Sequence, residues 1–90
     1  MIKDFALRSV RCENGEDAAL LYSIVAEETD GTTSYGAQIV MRRGGRTERA
    51  TVRDVTASYR RIRAFLTQLA ENTVTPCTLL DVVVDAINNY

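Results

Sequence analysis

From Asp4 to Asp54 the chain alternates apolar and polar residues with a period of two, interrupted by the turn-forming pairs Asn14-Gly15, Asp30-Gly31 and Gly44-Gly45. Each pair can supply the positive φ angles of a two-residue type I′ hairpin. Three hairpins predict four antiparallel strands near residues 4–13, 17–29, 32–43 and 46–54, with no Pro inside any of them. Tight turns also fix register, and a slip of one residue would send every side chain to the other face. The first turn sets Leu7 opposite Tyr22 and Phe5 opposite Ile24. The second sets Leu20, Tyr22 and Ile24 opposite Met41, Ile39 and Ala37, and the third sets Ile39 and Ala37 opposite Ala50 and Val52. One face is therefore expected to gather Phe5, Leu7, Leu20, Tyr22, Ile24, Ala26, Tyr35, Ala37, Ile39, Met41, Ala50 and Val52.

After Val55 the period changes to 3.6. Tyr59, Ile62, Phe65, Leu66, Leu69 and Ala70 form one stripe of a first helix, which Thr56 or Ser58 can cap. Thr75-Pro76 opens a second, with Pro at the first helical position where its missing N–H costs nothing, and this helix runs to about Asn88. Its apolar residues spread over roughly 200° of the helical wheel, enough to touch two surfaces. The short link from Glu71 to Thr75 joins the helices as a hairpin. The expected architecture is a single α+β domain over residues 1–90: a four-stranded antiparallel meander followed by a two-helix hairpin on one face.

The same register puts Ala6, Arg8, Val10 and Cys12 on the opposite, open face, with Leu21, Val25, Val40, Arg42, Arg49 and Arg53. Val10, Leu21, Val25 and Val40 form an apolar centre there, which points to a homodimer or partner interface. A solvated face with scattered Val and Leu is the alternative.

The net charge of −1 hides a division along the chain. Residues 1–41 carry three basic and seven acidic side chains, and residues 42–63 carry eight Arg against Glu48 and Asp54. Residues 64–90 carry only Glu71, Asp81 and Asp85. Arg8, Arg42, Arg49 and Arg53 on the open face could hold phosphates, so a nucleic-acid accessory role is the competing reading. No aromatic stands on that face to stack bases, and edge-strand arginines also prevent edge-to-edge pairing.

The chain has no His, which removes the commonest general base and most zinc-site recipes, so no enzyme activity and no metal or cofactor is expected. Cys77, at the start of the second helix, could be an activated thiol, but neither a His nor a C-x-x-C partner accompanies it. Cys12 and Cys77 are expected as reduced thiols in a cytoplasmic protein. Asp81 and Asp85 read as solubilising charge on the second helix. The longest stretch without a charged residue is the eleven positions from Gly31 to Met41, too short for a membrane span.

Tyr35-Gly36, Asp54-Val55-Thr56 and the segment Thr75-Pro76-Cys77-Thr78-Leu79-Leu80-Asp81-Val82-Val83-Val84-Asp85 together resemble a family of small uncharacterised clostridial proteins, a domain of unknown function, over most of the chain. The resemblance implies a family but brings no activity, ligand or catalytic residue. The arginine block departs from the family's pattern.

Overall fold

The structure, a computed structural model, describes residues 1–11 and 15–88, the last four of these by backbone alone. Four strands, β1 (Ile2–Arg11), β2 (Asp17–Thr29), β3 (Thr32–Arg43) and β4 (Arg46–Thr56), form one antiparallel sheet in the order β1-β2-β3-β4. Two helices follow, α1 (Tyr59–Glu71) and α2 (Pro76–Asn88). Both pack on the same face, α1 across all four strands and α2 over β4 and β3. This is the α+β meander followed by two helices that the period-two pattern and its change to 3.6 after Val55 together predict. Among the described residues, no helix is long and apolar enough to cross a membrane.

The core lies between the layers. Leu20, Tyr22, Ile24, Ala37, Ile39 and Met41 meet Ile62, Phe65, Leu66 and Leu69 of α1 and Leu79 and Val83 of α2, all of them buried. Two of the three turns keep the expected register. At the second, Asp30 and Gly31 take φ values of 52° and 78°, the two positive angles of a type I′ turn, and Thr29 pairs with Thr32. The third pairs Arg43 with Arg46, but of its two glycines only Gly44 has positive φ, so it follows the II′ pattern rather than I′.

The first connection corrects the expected pairing. Arg11 pairs with Asp17, so Ala6 rather than Leu7 opposes Tyr22, and Lys3 rather than Phe5 opposes Ile24. A two-residue loop would have set Glu13 against Glu16, two carboxylates directly opposed, which a strand pair disfavours. The observed register instead sets Arg11 beside Asp17 at 3.5 Å. Its consequence is that Ala6, Arg8 and Val10 turn toward the helices, while Leu7 is 64% exposed on the other face. A bulge between Asp4 and Ala6 absorbs Phe5 as an extra residue, which then packs against the core after all. Tyr22, Ile39 and Ala50 thus share a row as expected, with Ala6 as their β1 neighbour. The expected strand end at residues 12–13, the open-face position of Cys12, Asn14 of the first turn and the side chains of Asp85, Ala86 and Ile87 lie outside the described residues.

Candidate functional site

The face of the sheet away from the helices is built from alternate residues of all four strands, and the pairing fixes its rows. Leu7, Leu21, Val40 and Arg49 make one row; Asp4, Ser23, Gln38 and Thr51 make the next. Ile2, Val25 and Gly36 follow, with Arg53 beside Gly36. Leu7, Ala19, Leu21, Val40 and Arg42 line a shallow depression of about 210 Å³ on this face. Its apolar floor is open to solvent at the β1 edge, where Leu7 stands, and Ile2 is 56% exposed along the same edge.

Charge on this face is sorted by strand. Asp4, Asp17 and Glu27 lie on β1 and β2, with Arg11 the one cation there among the described residues, whereas Arg42, Arg49 and Arg53 lie on β3 and β4. The apolar row crosses from the acidic half to the basic half. Gln38 and Ser23 are buried polar residues in the row beside it, each held in place: Thr51 Oγ1 donates to Gln38 Oε1 at 2.9 Å, and Ser23 Oγ donates to Asp4 Oδ1 at 3.2 Å. One carboxylate oxygen is less well served. Glu27 Oε1 is enclosed, lacks a hydrogen-bond partner, and has only Arg53 Nε at the ion-pair distance of 3.5 Å.

Of the apolar centre expected from the sequence, Leu21 and Val40 stand together on this face. Val25 shares it but is only 6% exposed, so it is already covered within one copy of the chain. Val10 is on the helix side, partly buried against the core. The phosphate-binding set divides in the same way: Arg42, Arg49 and Arg53 share the open face, and Arg8 is across the sheet in the row of Leu20 and Met41. From there its charge partly offsets the burial that raises the Tyr22 hydroxyl above its ordinary value. Leu7 is the functional candidate that the two-residue-loop assumption hid. The signal available in the sequence was the Glu13–Glu16 opposition that this assumption required.

On α2, Leu79 and Val83 face the core while Leu80 is 62% exposed, so the wide apolar arc does present a second side. Cys77 is exposed near the start of the helix, its Sγ 3.2 Å from Thr75 Oγ1, and Asp81 is solvated. Among the described residues, no three His, Cys, Asp or Glu side chains gather as a metal site.

A family model described as "Family of unknown function (DUF6514)" matches residues 1–89. No curated protein and no solved structure matches the chain significantly.

Proposed function

The chain belongs to a family of unknown function, DUF6514, and from its own surface we propose that it is a cytoplasmic, non-enzymatic interaction module that associates with a second copy of itself through the open sheet face. The observation that carries this reading is the apolar row Leu7–Leu21–Val40, which crosses from the acidic to the basic half of one face.

Sorted charge selects the geometry. Two sheets can meet face to face around a two-fold axis lying in the plane between them. An axis across the strands would bring each half against its own kind. An axis parallel to the strands, between β2 and β3, brings the acidic half of one copy against the basic half of the other. Leu21 then meets the second copy's Val40, and Asp4 falls between the second copy's Arg49 and Arg53. Four strands spaced about 4.8 Å apart over some five rows give roughly 600 Å² of projected area per copy, close to the ~800 Å² per partner of a standard interface. Like-charge juxtaposition elsewhere on the face disfavours other registers.

Sedimentation equilibrium tests the reading. The chain is expected to be dimeric at about 50 µM, and the Leu7→Arg variant, which sets Arg against the second copy's Arg49, and the Val40→Asp variant monomeric at that concentration with their folds retained. Leu7 is exposed on an edge strand, so its substitution leaves the core intact. A wild-type monomer, or a Leu7→Arg variant that remains fully dimeric, overturns the proposal.

A further inference from the structure

A strand of 13 residues such as β2 runs about 43 Å, whereas a helix of 13 residues runs about 20 Å, so helices of this length cannot cover the whole of their own face. The uncovered end lies around Ala26, Thr33 and Tyr35, and between it and the first turn of α1 is a half-open cleft of about 750 Å³. That volume falls within the range of small-molecule sites.

The cleft has an aromatic wall. Tyr35 and Tyr59 approach with ring centroids 5.5 Å apart at 58°, buried Ile24 contributes to the lining, and Tyr59 keeps 42% of its surface exposed. The Arg63 guanidinium stands 5.9 Å from the Tyr59 ring centre. Past Tyr59 a second hollow of about 360 Å³ continues between Arg60 and Arg63, so one tyrosine borders both spaces. Among the described residues, three cationic side chains, those of Lys3, Arg60 and Arg63, therefore line the two hollows against the one carboxylate side chain of Glu28.

The sequence of α1 sharpens this. Its first turn holds no acidic residue, and Arg60 and Arg61 stand there, where the helix macrodipole disfavours positive charge. Local helix stability does not account for Arg60 at this end. A ligand bearing negative charge would, since guanidinium groups present paired donors to oxyanions.

We propose that this cleft binds a planar aromatic small molecule carrying an oxyanion group. The ring lies against Tyr35 and Tyr59, and the oxyanion reaches past Tyr59 to Arg60 and Arg63. The site is on the helix side of the sheet and is independent of the dimer face.

The test is a ¹⁵N–¹H NMR titration of the full chain with naphthalene-2-sulfonate, with the neutral naphthalene-2-methanol and with inorganic sulfate. Saturable shifts are expected at Ala26, Thr33, Tyr35 and Tyr59 with the sulfonate, and binding about tenfold weaker for the neutral ring and for sulfate alone. The surface variant Arg60→Gln/Arg63→Gln should abolish the preference for the charged ring, and Tyr59→Ala should weaken both ring compounds. Equal affinity for the charged and neutral rings overturns the proposal. So does an unchanged preference in the arginine variant, a shift pattern on the open sheet face, or no shift at about 2 mM sulfonate.

Discussion

Gly36 stands where the backbone of β4 passes so close that a side chain has no room. A Cβ built on it would fall 2.8 Å from Arg53 Cα and closer still to the Val52 carbonyl oxygen. The cause is the irregular pairing at this point: between the Tyr35–Thr56 and Ala37–Val52 pairs, β4 carries extra residues, and Asp54 takes a φ of 55° to accommodate them. Backbone cannot move aside as a flexible side chain can. Gly36→Ala is expected to cost about 2–3 kcal/mol in chemical denaturation, the penalty of overpacking against a fixed wall. Tyr22 makes the complementary case, a core tyrosine whose hydroxyl donates to the Val74 carbonyl at 2.9 Å. Tyr22→Phe should lose about 1–2 kcal/mol by leaving that acceptor without its donor. Burial raises the Tyr22 hydroxyl above its ordinary value of 10.0, and the nearby Arg8 charge lowers it part of the way back. Because the folded value is raised, the stabilisation is complete below pH 10 and is lost as pH climbs through the folded value. Denaturation curves in alkaline buffers should show this fall in the wild type and a smaller one in Tyr22→Phe. Tyr35-Gly36 and Asp54-Val55-Thr56 are visible as motifs in the sequence; that they meet across one bulge is not, because the bulge comes from pairing between strands distant along the chain.

At the scale of elements, α1 is delimited by local chemistry at both ends. Ser58 caps the start, its Oγ accepting from the Arg61 N–H at 3.2 Å, and Thr56 Oγ1 in turn holds the Ser58 N–H at 3.1 Å. The two residues named as alternative caps thus act in series. Ser58→Ala should cost about 1 kcal/mol. At the other end, Thr73 N–H reaches the Ala70 carbonyl and Val74 N–H the Leu69 carbonyl, the paired bonds of a Schellman motif. Thr73 occupies its left-handed position with a φ of 47°, a conformation that a β-branched residue adopts only at a cost. Thr73→Gly is therefore expected to stabilise the fold by about 1 kcal/mol, measured as a raised denaturation midpoint. This turn also presents the Val74 carbonyl to Tyr22, so the interhelical link is tied to the sheet below it. The hairpins show how far local signals reach. Asp30-Gly31 fixes its own turn completely, since both positive angles fall on residues that tolerate them. Asn14-Gly15 carries the same signal, yet the described pairing sets Arg11 against Asp17, opposite charges facing each other where a two-residue loop would oppose Glu13 and Glu16.

For the whole molecule, 46 × 27 × 17 Å in extent, the two exposed surfaces follow from one mismatch of layers. Two short helices cover only part of one face of a long sheet, which leaves the opposite face bare and one end of their own face open. The bare face was legible as a feature of the fold, and Leu21, Val40, Arg42, Arg49 and Arg53 were placed on it from the turns alone. For Leu7, Val10 and Arg8 the turns give the opposite face to the one observed, because all three depend on the one strand whose register the turn residues do not set. The tyrosine-lined cleft was not legible at all: Tyr35 and Tyr59 belong to different elements, and only the packing angle of α1 brings them to 5.5 Å. Self-association through the bare face should weaken as salt rises, since part of its register is electrostatic.

The most direct measurement of that association is sedimentation velocity on two charge-reversed variants, alone and mixed. In Asp4→Arg each copy would present Arg to the second copy's Arg49, and in Arg49→Asp each would present Asp to the second copy's Asp4. Each variant alone is expected to be largely monomeric, and an equimolar mixture to form a heterodimer, because both contacts then join opposite charges. Variants that dimerise alone as well as the wild type does, or a mixture that stays monomeric, would contradict the two-fold sandwich.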